Sequence, residues 1–466
     1  MIFSIKKLTY AVLALALHAS AQAGVLSDHQ GHWMGDLKIP NGPTFKSAVE
    51  IFTRADGSAW ASFSSPDQGN YDVPVVSVKE AGNTAELQLA FASMTLNWVG
   101  DHFSAEFRQG SGVFPLALRS VAQFPRKTHA QTPVAPFPYT EETLAIAGAD
   151  GVMLGATLSL PKGSNKHKPN LVILVHGSGP ATRDEDNEGH ATFGVLADQL
   201  TRQGIAVLRY DKRGVSRSTG DYEGHTQPQL VNDVSAVIYA MRARKQFNRV
   251  GLVGHSEGPM IAAAVAARDP KAVDFIVSMG GVGLPGLDLM MLQDRAAAKD
   301  NGADPRAVEA LMVYVRNYYQ VIMAKADPAE RMAAIKSLLQ SLSVEDSALV
   351  KKYKMNEGTL SLGMVEKPFL RGLLTTNPYN DWRAVRCPVL ALNGSVDHQV
   401  PVESLAAMVA ALREGGNKKV ESVILPSLNH LFQTAKTGSE DEYATIDETI
   451  APLALQKITG FIKKQR

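Results

Sequence analysis

One pentad in the sequence places a serine between small residues in the pattern of a catalytic nucleophile. Ser256 is the central residue of GHSEG, residues 254–258, which follows the apolar run Val250–Val253 and precedes a helical pattern. A serine on a tight turn between a strand and a helix has a strained backbone, which small residues two positions before and two positions after it accommodate. The N-terminus of the following helix favours developing negative charge. This context predicts that Ser256 is a nucleophile.

A serine hydroxyl is a weak nucleophile at neutral pH, so it requires a base and an acid that orients the base. Asp397 lies just after the apolar run 388–393, and His430 lies just after the apolar run 423–425. Parallel strands place such residues at one edge of a sheet, in the order serine, acid, base. We therefore expect Asp397 to be the acid and His430 the base. Weaker candidates for the base are His190, His225, His255 and His398.

A glycine-rich segment offers backbone donors for the charge that develops on a carbonyl oxygen. The sequence HGSGP, residues 176–180, ends the apolar run Leu171–Val175. Its N–H groups, with the amide of Glu257, can form an oxyanion hole. We expect Ser178 to be the donor, with Gly179 as the alternative.

Several neighbouring residues are expected to support the site rather than react. His176 is expected to brace the glycine-rich loop by hydrogen bonding. The acidic run DED, residues 184–186, is expected to be solvated. In YDKRG, residues 210–214, Asp211 and Arg213 are expected to pair in a turn that stiffens the wall behind the nucleophile.

The pattern of apolar, polar and turn-forming residues along the chain predicts the elements that must position these groups. Residues 24–122 alternate in short runs between turns, which is typical of a small antiparallel β barrel or sandwich. Residues 123–140 contain four prolines and are expected to form a semi-rigid linker. Residues 141–283 and 377–466 alternate buried strands with helices, which predicts an α/β fold with a doubly wound, mostly parallel sheet. Residues 284–376 have helical patterns and are expected to form a cap insertion.

The expected cap contains apolar and aromatic residues that are close together in sequence. They form a lipophilic or aromatic acyl pocket or pack the cap helices on the body of the domain, and their helical spacing favours packing. These residues are Leu287–Met291, Met312, Tyr314, Tyr318 and Tyr319.

The first 23 residues have the pattern of a signal peptide. Lys6 and Lys7 precede the apolar run Leu8–Ala19, and the small-x-small sequence 21–23 follows it. The run is shorter than the roughly 20 residues of a membrane-spanning helix. We therefore expect cleavage after Ala23, export to the periplasm or the extracellular space, and no membrane span after removal of the signal.

Composition excludes several classes of protein. The chain has 466 residues, of which 45% are hydrophobic and 20% charged, so it has ample material for packed cores. Its net charge of +1 gives no reason to expect a nucleic-acid partner. The single cysteine, Cys387, excludes an intrachain disulfide framework and a thiolate-rich metal site. Because Cys387 precedes a strand, we expect it to be a packing residue.

Together these segments resemble the α/β-hydrolase superfamily over about residues 143–464. The combination of HGSGP, YDKRG, GHSEG and LNGSVDHQVP is similar to secreted bacterial serine esterases and serine-aminopeptidase-like enzymes, which often have an N-terminal β domain and a helical cap. The resemblance implies Ser256 as nucleophile, Asp397 as acid and His430 as base. The sequence departs from the family pattern at VSRS, residues 215–218, and at Pro259.

The identity of the nucleophile restricts the reaction. Aspartate would suit dehalogenase or epoxide-hydrolase chemistry and cysteine would suit dienelactone hydrolysis, so serine leaves esters, thioesters and amides. We expect a carboxylesterase that acts on a small-molecule acyl ester without a cofactor or metal. The alternatives are a serine peptidase or aminopeptidase-like enzyme, a thioesterase, and a non-catalytic binding protein on a hydrolase scaffold. The sequence defines no oligomeric state.

Overall fold

The computed structural model of the protein describes residues 24–164, 167–355, 360, 362–365 and 368–465. The predicted signal peptide, residues 1–23, lies outside the described residues. Among the residues that are described, no helix is both long and apolar enough to cross a lipid bilayer.

The N-terminal part of the chain is a closed antiparallel barrel. A short helix, α1 (Val25–Asp28), precedes it. Its eight strands are β1 (Gly31–Lys38), β2 (Thr44–Thr53), β3 (Ala59–Ser65), β4 (Asn70–Ala81), β5 (Thr84–Leu89), β6 (Ser93–Val99), β7 (His102–Gln109) and β8 (Gly112–Val121). Pairing of β1 with β8 closes the barrel, which removes the exposed sheet edges. Alternate side chains fill the interior, where the rings of Trp33, Trp98 and Phe103 pack edge to face.

The segment between β8 and the next strand runs over the second part of the molecule. Gln131 binds residues 449 and 450 through three hydrogen bonds, in which its side-chain oxygen accepts from both amides and its Nε2 donates to Ile450 O. His129 stacks on His190 with 3.5 Å between ring centroids. This connection is therefore packed against the second domain at residues 129 and 131, and it is not only a spacer.

The second part is built on a large, mostly parallel sheet. Its strands are β9 (Thr140–Ala147), β10 (Met153–Leu160), β11 (Leu171–Val175), β14 (Ala206–Tyr210), β15 (Val250–His255), β16 (Ile276–Met279), β17 (Val389–Gly394) and β18 (Val420–Leu425), and a short hairpin is formed by β12 (Asp186–Asn187) and β13 (His190–Ala191). The strand order is β18-β17-β16-β15-β11-β14-β10-β9. The pairs that include β10 are antiparallel and the others are parallel. The predicted fold class is therefore confirmed.

Helices cover both faces of this sheet. The described helices are α2 (Thr192–Arg202), α3 (Gln227–Ala243), α4 (Gly258–Arg268), α5 (Gly286–Asp300), α6 (Pro305–Ala324), α7 (Pro328–Gln340), α8 (Val344–Lys352), α9 (Leu362–Val365), α10 (Pro368–Thr375), α11 (Tyr379–Ala384), α12 (Val402–Glu414) and α13 (Pro452–Lys464). One apolar core contains residues of α3, α4, α11 and α12, and a second contains residues of α2 and α13. This double covering explains why the central strands are apolar on both faces.

Helices α5–α10 lie between β16 and α11 in the chain, within the segment expected to be a cap. Their apolar side chains form a core of their own, which includes Met291, Met312, Tyr318 and Tyr319. Tyr319 donates a hydrogen bond to Asp294 inside this core, at 2.7 Å. The aromatic cluster therefore packs the cap helices onto one another rather than onto the body of the domain. Leu289, in contrast, packs against Met260 and Val400 of the body.

Candidate active site

Ser256 lies on a strained turn between β15 and α4. Its φ is 58°, in the left-handed region that residues other than glycine seldom adopt. Its amide donates to Met279 O at 2.9 Å, which ties the turn to the end of β16. A Cβ on Gly254 would lie 2.5 Å from Pro259 N, and one on Gly258 would lie 2.0 Å from Val175 O. Close backbone approach therefore requires glycine at both flanking positions.

Asp397 and His430 form a buried pair at the ends of β17 and β18. The His430 Nδ1 and Asp397 Oδ2 atoms are 2.9 Å apart, and these side chains are 3% and 0% exposed. The other carboxylate oxygen accepts from the amides of Gln399 and Val400, at 3.0 and 2.8 Å. When Nδ1 donates its proton to Asp397, the proton-accepting nitrogen of the neutral ring is Nε2.

Gly280 supports this pair and was not identified from the sequence. It follows β16 with φ 55°, and its amide donates to Leu392 O at 2.9 Å. A Cβ on Gly280 would lie 3.1 Å from Asp397 Oδ2 and 3.2 Å from His430 Nδ1. A glycine is needed where the backbone approaches a side-chain pair this closely. The sequence signal was the Gly-Gly dipeptide after the strand, which any turn would also explain.

Ser256 and His430 line one cavity of about 220 Å³. The glycine-rich loop forms another wall, with Gly177, Ser178 and Gly179. No hydrogen bond joins the Ser256 hydroxyl to His430 within the described residues. Such contacts commonly tighten only when substrate binds. The structure thus brings the three expected catalytic side chains to the same edge of the sheet.

Of the expected oxyanion donors, Ser178 and Gly179 line this cavity, and Glu257 lines a second cavity. Ser178 follows β11, and Glu257 follows Ser256 at the start of α4. Neither amide donates to another protein group in the described part of the chain. Gly179 has φ 91°, a conformation that glycine adopts readily. Unused amides at a helix N-terminus and in a glycine-rich loop can bind negative charge.

Two charged side chains that were given no role at the site from the sequence, Glu185 and Lys212, hold the glycine-rich loop. Glu185 Oε1 accepts from the Gly177 amide at 2.7 Å, and Lys212 Nζ donates to the carbonyls of Gly177 and Gly179 at 2.6 and 3.0 Å. The Glu185 side chain is 13% exposed. The expectation that run 184–186 is solvated was therefore wrong for Glu185, because the loop turns its carboxylate inward.

Glu185 also lies 3.5 Å from His255, the neighbour of the nucleophile. Burial acts to raise the pKa of Glu185, but His255 and the Gly177 amide hold it below its ordinary value. Burial lowers the pKa of His255, yet the Glu185 carboxylate more than offsets this effect, so the pKa lies above its ordinary value. The His255 Nε2 is 3.0 Å from His430 O, so this ion pair contacts the loop that carries the base.

The expected pairing of Asp211 with Arg213 was wrong. Asp211 binds Arg183, with 2.6 Å between the guanidinium Nη2 and Oδ2, and also accepts from the Arg217 amide. Arg213 instead binds Asp233 of α3 at 2.7 and 2.8 Å. Each charge is therefore neutralised by a residue from another segment, and Lys212 between them extends to the glycine-rich loop.

His176 braces its loop by packing rather than by hydrogen bonding. Its ring lies edge-on to Tyr210, with 4.8 Å between centroids, and near Phe193. Neither ring nitrogen has a hydrogen-bond partner among the described residues. Burial lowers the pKa of His176 to about 4. The imidazole is therefore neutral at physiological pH.

The remaining histidine candidates have partners outside the proposed triad, and His225 contacts the Tyr222 carbonyl. His190 contacts Thr449 and Tyr443, and His398 contacts Asp300. Cys387 is half-buried, and burial raises its pKa to about 12, so it is a poor nucleophile.

Comparison with known proteins assigns the family. Residues 167–433 match a sequence profile described as serine aminopeptidase, S33, which covers more than half of the chain. The chain belongs to the serine aminopeptidase S33 family. This membership confirms the resemblance inferred from the four motifs. The S33 match contains β11 through β18 and the cap helices, and it leaves out the barrel, β9 and β10.

Two curated relatives of this S33 protein are esterases by name. It is 25% identical to esterase EstD from Thermotoga maritima over 66% of this chain and 64% of EstD. It is 27% identical to protein phosphatase methylesterase 1 from Candida albicans over 30% of this chain and 33% of that protein. The match thus covers less than two thirds of either relative. Among solved structures, Est1E from Butyrivibrio proteoclasticus is similar, with a TM-score of 0.41 and 16% identity over 69% of this chain and 98% of Est1E.

Proposed function

We propose that this S33 protein is a serine hydrolase that cleaves carboxylic esters through an acyl-enzyme intermediate on Ser256. The observation that carries the proposal is the buried pair of Asp397 and His430, whose imidazole lines the same cavity as Ser256. A base oriented by a carboxylate beside a strained serine is the arrangement that nucleophilic acyl transfer requires.

In the proposed reaction, His430 Nε2 takes the hydroxyl proton as Ser256 Oγ attacks the ester carbonyl. Asp397 keeps the imidazole in the required tautomer and stabilises the imidazolium. His430 then gives the proton to the leaving alkoxide, and the C–O bond to the alcohol breaks. Water, deprotonated by His430, attacks the acyl-enzyme and releases the carboxylic acid and the free serine.

The tetrahedral intermediates carry negative charge on the former carbonyl oxygen. The amides of Ser178 and Glu257 are the proposed donors to this oxygen, with Gly179 as an alternative on the same loop. Each such donor contributes about 3 kcal/mol of transition-state stabilisation in enzymes of this type.

Ester cleavage is ranked first because an alcohol leaves more readily than an amine, which must be protonated. The names of the relatives EstD and methylesterase support this ranking. A second cavity, of about 430 Å³, is lined by Glu257 and by residues at the end of the cap segment, 372–376, and it offers space for one part of an ester. Thioesters are a further candidate substrate for the same residues.

Amide hydrolysis is the second candidate function, supported by the family description and one structural feature. Asp300, Glu440 and Asp441 line a cavity of about 340 Å³, and Gln399 lines both this cavity and that of Ser256. Carboxylates there are suited to bind a protonated amine. Glu309, by contrast, pairs with Arg295 on the exposed surface of the cap.

Labelling with a fluorophosphonate tests whether the protein is a serine hydrolase. The native protein should be labelled, Ser256→Ala should not be, and Ser104→Ala on the barrel surface should be labelled as the native protein is. Absence of labelling on the native protein would exclude catalysis by Ser256 and favour a binding protein on a hydrolase scaffold. Turnover of p-nitrophenyl acyl esters against aminoacyl anilides then separates esterase from peptidase, and faster anilide cleavage would reverse the ranking.

We also propose that the protein is exported, on the support of the basic, apolar and small-residue pattern of residues 1–23. N-terminal sequencing of the protein from its native cell tests this. A mature chain that begins at Gly24 is expected, and an intact N-terminus would contradict it.

A further inference from the structure

A buried ammonium group lies behind the glycine-rich loop. The side chain of Lys212 is 4% exposed, and its Nζ donates to the carbonyl oxygens of Gly177 and Gly179. Its nearest carboxylate oxygen, Glu257 Oε2, is 3.7 Å away, which is beyond hydrogen-bond distance. A buried charge is costly unless it is paired and hydrogen-bonded. These two carbonyls accept the hydrogen bonds of the ammonium group, and the nearby Glu257 carboxylate supplies the opposite charge.

The orientation of a peptide group links these carbonyls to the oxyanion donor. In a planar trans peptide, the C=O and the following N–H point in opposite directions. The Gly177 carbonyl belongs to the same peptide group as the Ser178 amide. By holding that carbonyl, Lys212 fixes the Ser178 N–H on the side away from itself. The bond to Gly179 O fixes the other end of the same short segment.

The preceding peptide group is held by a group of opposite charge. The Gly177 amide donates to Glu185, so both peptide groups of Gly177 are bound by ionic side chains, of which Lys212 is buried and Glu185 is 13% exposed. Little room remains for this loop to shift, since a Cβ on Gly177 would lie 3.0 Å from Ser256 Cβ. The loop thus presents one backbone conformation to the nucleophile.

We propose that Lys212 is a positioning residue that presets the oxyanion hole by fixing the direction of the Ser178 amide. This inference rests on the proposed function, because it assigns the purpose of the loop in acyl transfer. Donors fixed before the reaction stabilise the transition state without the cost of reorganisation. Lys212 acts through the loop and is not proposed to touch the substrate.

The consequence is a specific kinetic signature. In Lys212→Met, the carbonyls of Gly177 and Gly179 lose the ammonium donor, so the peptide group of the Ser178 amide can rotate. The oxyanion of the transition state then loses the Ser178 amide as a donor, whereas binding of the ground-state ester does not depend on it. We expect kcat on a p-nitrophenyl ester to fall about 10- to 100-fold with little change in KM. Affinity for a trifluoromethyl ketone, which forms an oxyanion on the serine, should fall by a similar factor. Binding of an ether analogue that has no carbonyl should not change.

The matched control is Arg213→Met, which removes a buried cation one residue away that binds Asp233 and not the loop. Its thermal stability should fall, but the ratio of ketone to ether affinity should equal that of the native protein. If Lys212→Met does not fold, Lys212→Gln, which keeps an N–H donor, is used for the same comparison and should show a smaller loss.

Two outcomes would overturn the inference. One is a folded Lys212 variant with native kcat and native ketone affinity. The other is a loss that appears equally in ketone and ether binding, which indicates a general change in the pocket. Fluorophosphonate labelling of the native protein is measured first. Its failure would reject the proposed function itself, whereas intact labelling with an unaffected Lys212 variant would reject only the role of Lys212.

Discussion

At the scale of single residues, the Asp397 carboxylate has donors on both oxygens. Two backbone amides bind Oδ1, and the His430 imidazole binds Oδ2. The carboxylate therefore cannot rotate without losing several hydrogen bonds, and the ring it orients is equally buried. Charge-assisted bonds of this kind fix both the position and the tautomer of the imidazole.

Asp397→Asn should keep this geometry and reverse the tautomer. The amide nitrogen would donate to Nδ1, so the ring proton would move to Nε2 and the base would be lost. We expect kcat to fall by about 10⁴ with little change in KM, as measured by ester turnover at neutral pH. Asp36→Asn, which alters an exposed carboxylate that pairs with Lys46 on the barrel, is the control. A loss of less than tenfold in Asp397→Asn would contradict the assigned role.

His176 makes stability depend on pH. Its pKa is about 4 when folded and 6.5 in the unfolded chain, so only the unfolded state takes up a proton between these values. The stability that the protein gains from a neutral, buried His176 is present in full above pH 6.5 and is lost as the pH falls toward 4. His176→Phe should retain the packing against Tyr210 and remove this dependence.

Unfolding of the native protein and of His176→Phe in denaturant, at about pH 7.5 and about pH 5, measures the effect. The native protein should lose about 2 kcal/mol more stability than the variant on acidification. Equal losses in the two proteins would show that His176 is not the group responsible.

At the scale of elements, the reacting groups lie at the ends of neighbouring strands. Where the backbone after one strand comes close to side chains after another, only a small residue fits. Gly280 joins the end of β16 to the Asp397–His430 pair, and its φ lies in the left-handed region. Gly280→Ala should strain the turn by about 1–2 kcal/mol and push the imidazole from its position. We expect kcat to fall about 10- to 100-fold.

The control for this change is Gly460→Ala in α13, where an added Cβ meets no atom within 4 Å. It should raise the free energy of unfolding by up to about 1 kcal/mol and leave kcat unchanged. Native activity in Gly280→Ala would show that the pair tolerates a shift at this turn.

Local pattern was sufficient to predict the α/β fold class and the strand ends that carry Ser256, Asp397 and His430. Alternation, turn residues and the GHSEG pentad are properties of short segments. Lys212, Glu185 and Gly280 were missed because their contacts join segments far apart in the chain. The sequence around a charged residue looks the same whether its side chain faces solvent or, like that of Lys212, binds a buried loop.

At the scale of the whole molecule, the barrel contacts the second domain at residues 215–218. This is the VSRS segment, whose sequence differs from the family pattern. Arg217 Nη2 lies 3.0 Å from Glu50 Oε1, and its guanidinium carbon lies 4.7 Å from the centre of the Phe52 ring. Its carbonyl accepts from the Ala55 amide at 2.8 Å. The substituted turn therefore serves as a contact for a domain that the S33 match leaves out.

Arg217→Ala should weaken this contact while leaving the backbone bond to Ala55. The side chain is 39% exposed, so its ion pair and ring contact together should contribute only about 1 kcal/mol. The expected result is faster proteolysis between residues 122 and 139 and a slightly lower unfolding temperature, with ester turnover unchanged. Arg119→Ala, which removes an arginine that pairs with Asp101 within the barrel, is the control and should leave proteolysis unaltered. Equal cleavage rates in Arg217→Ala and the native protein would mean that docking depends on the connection around Gln131 and not on Arg217.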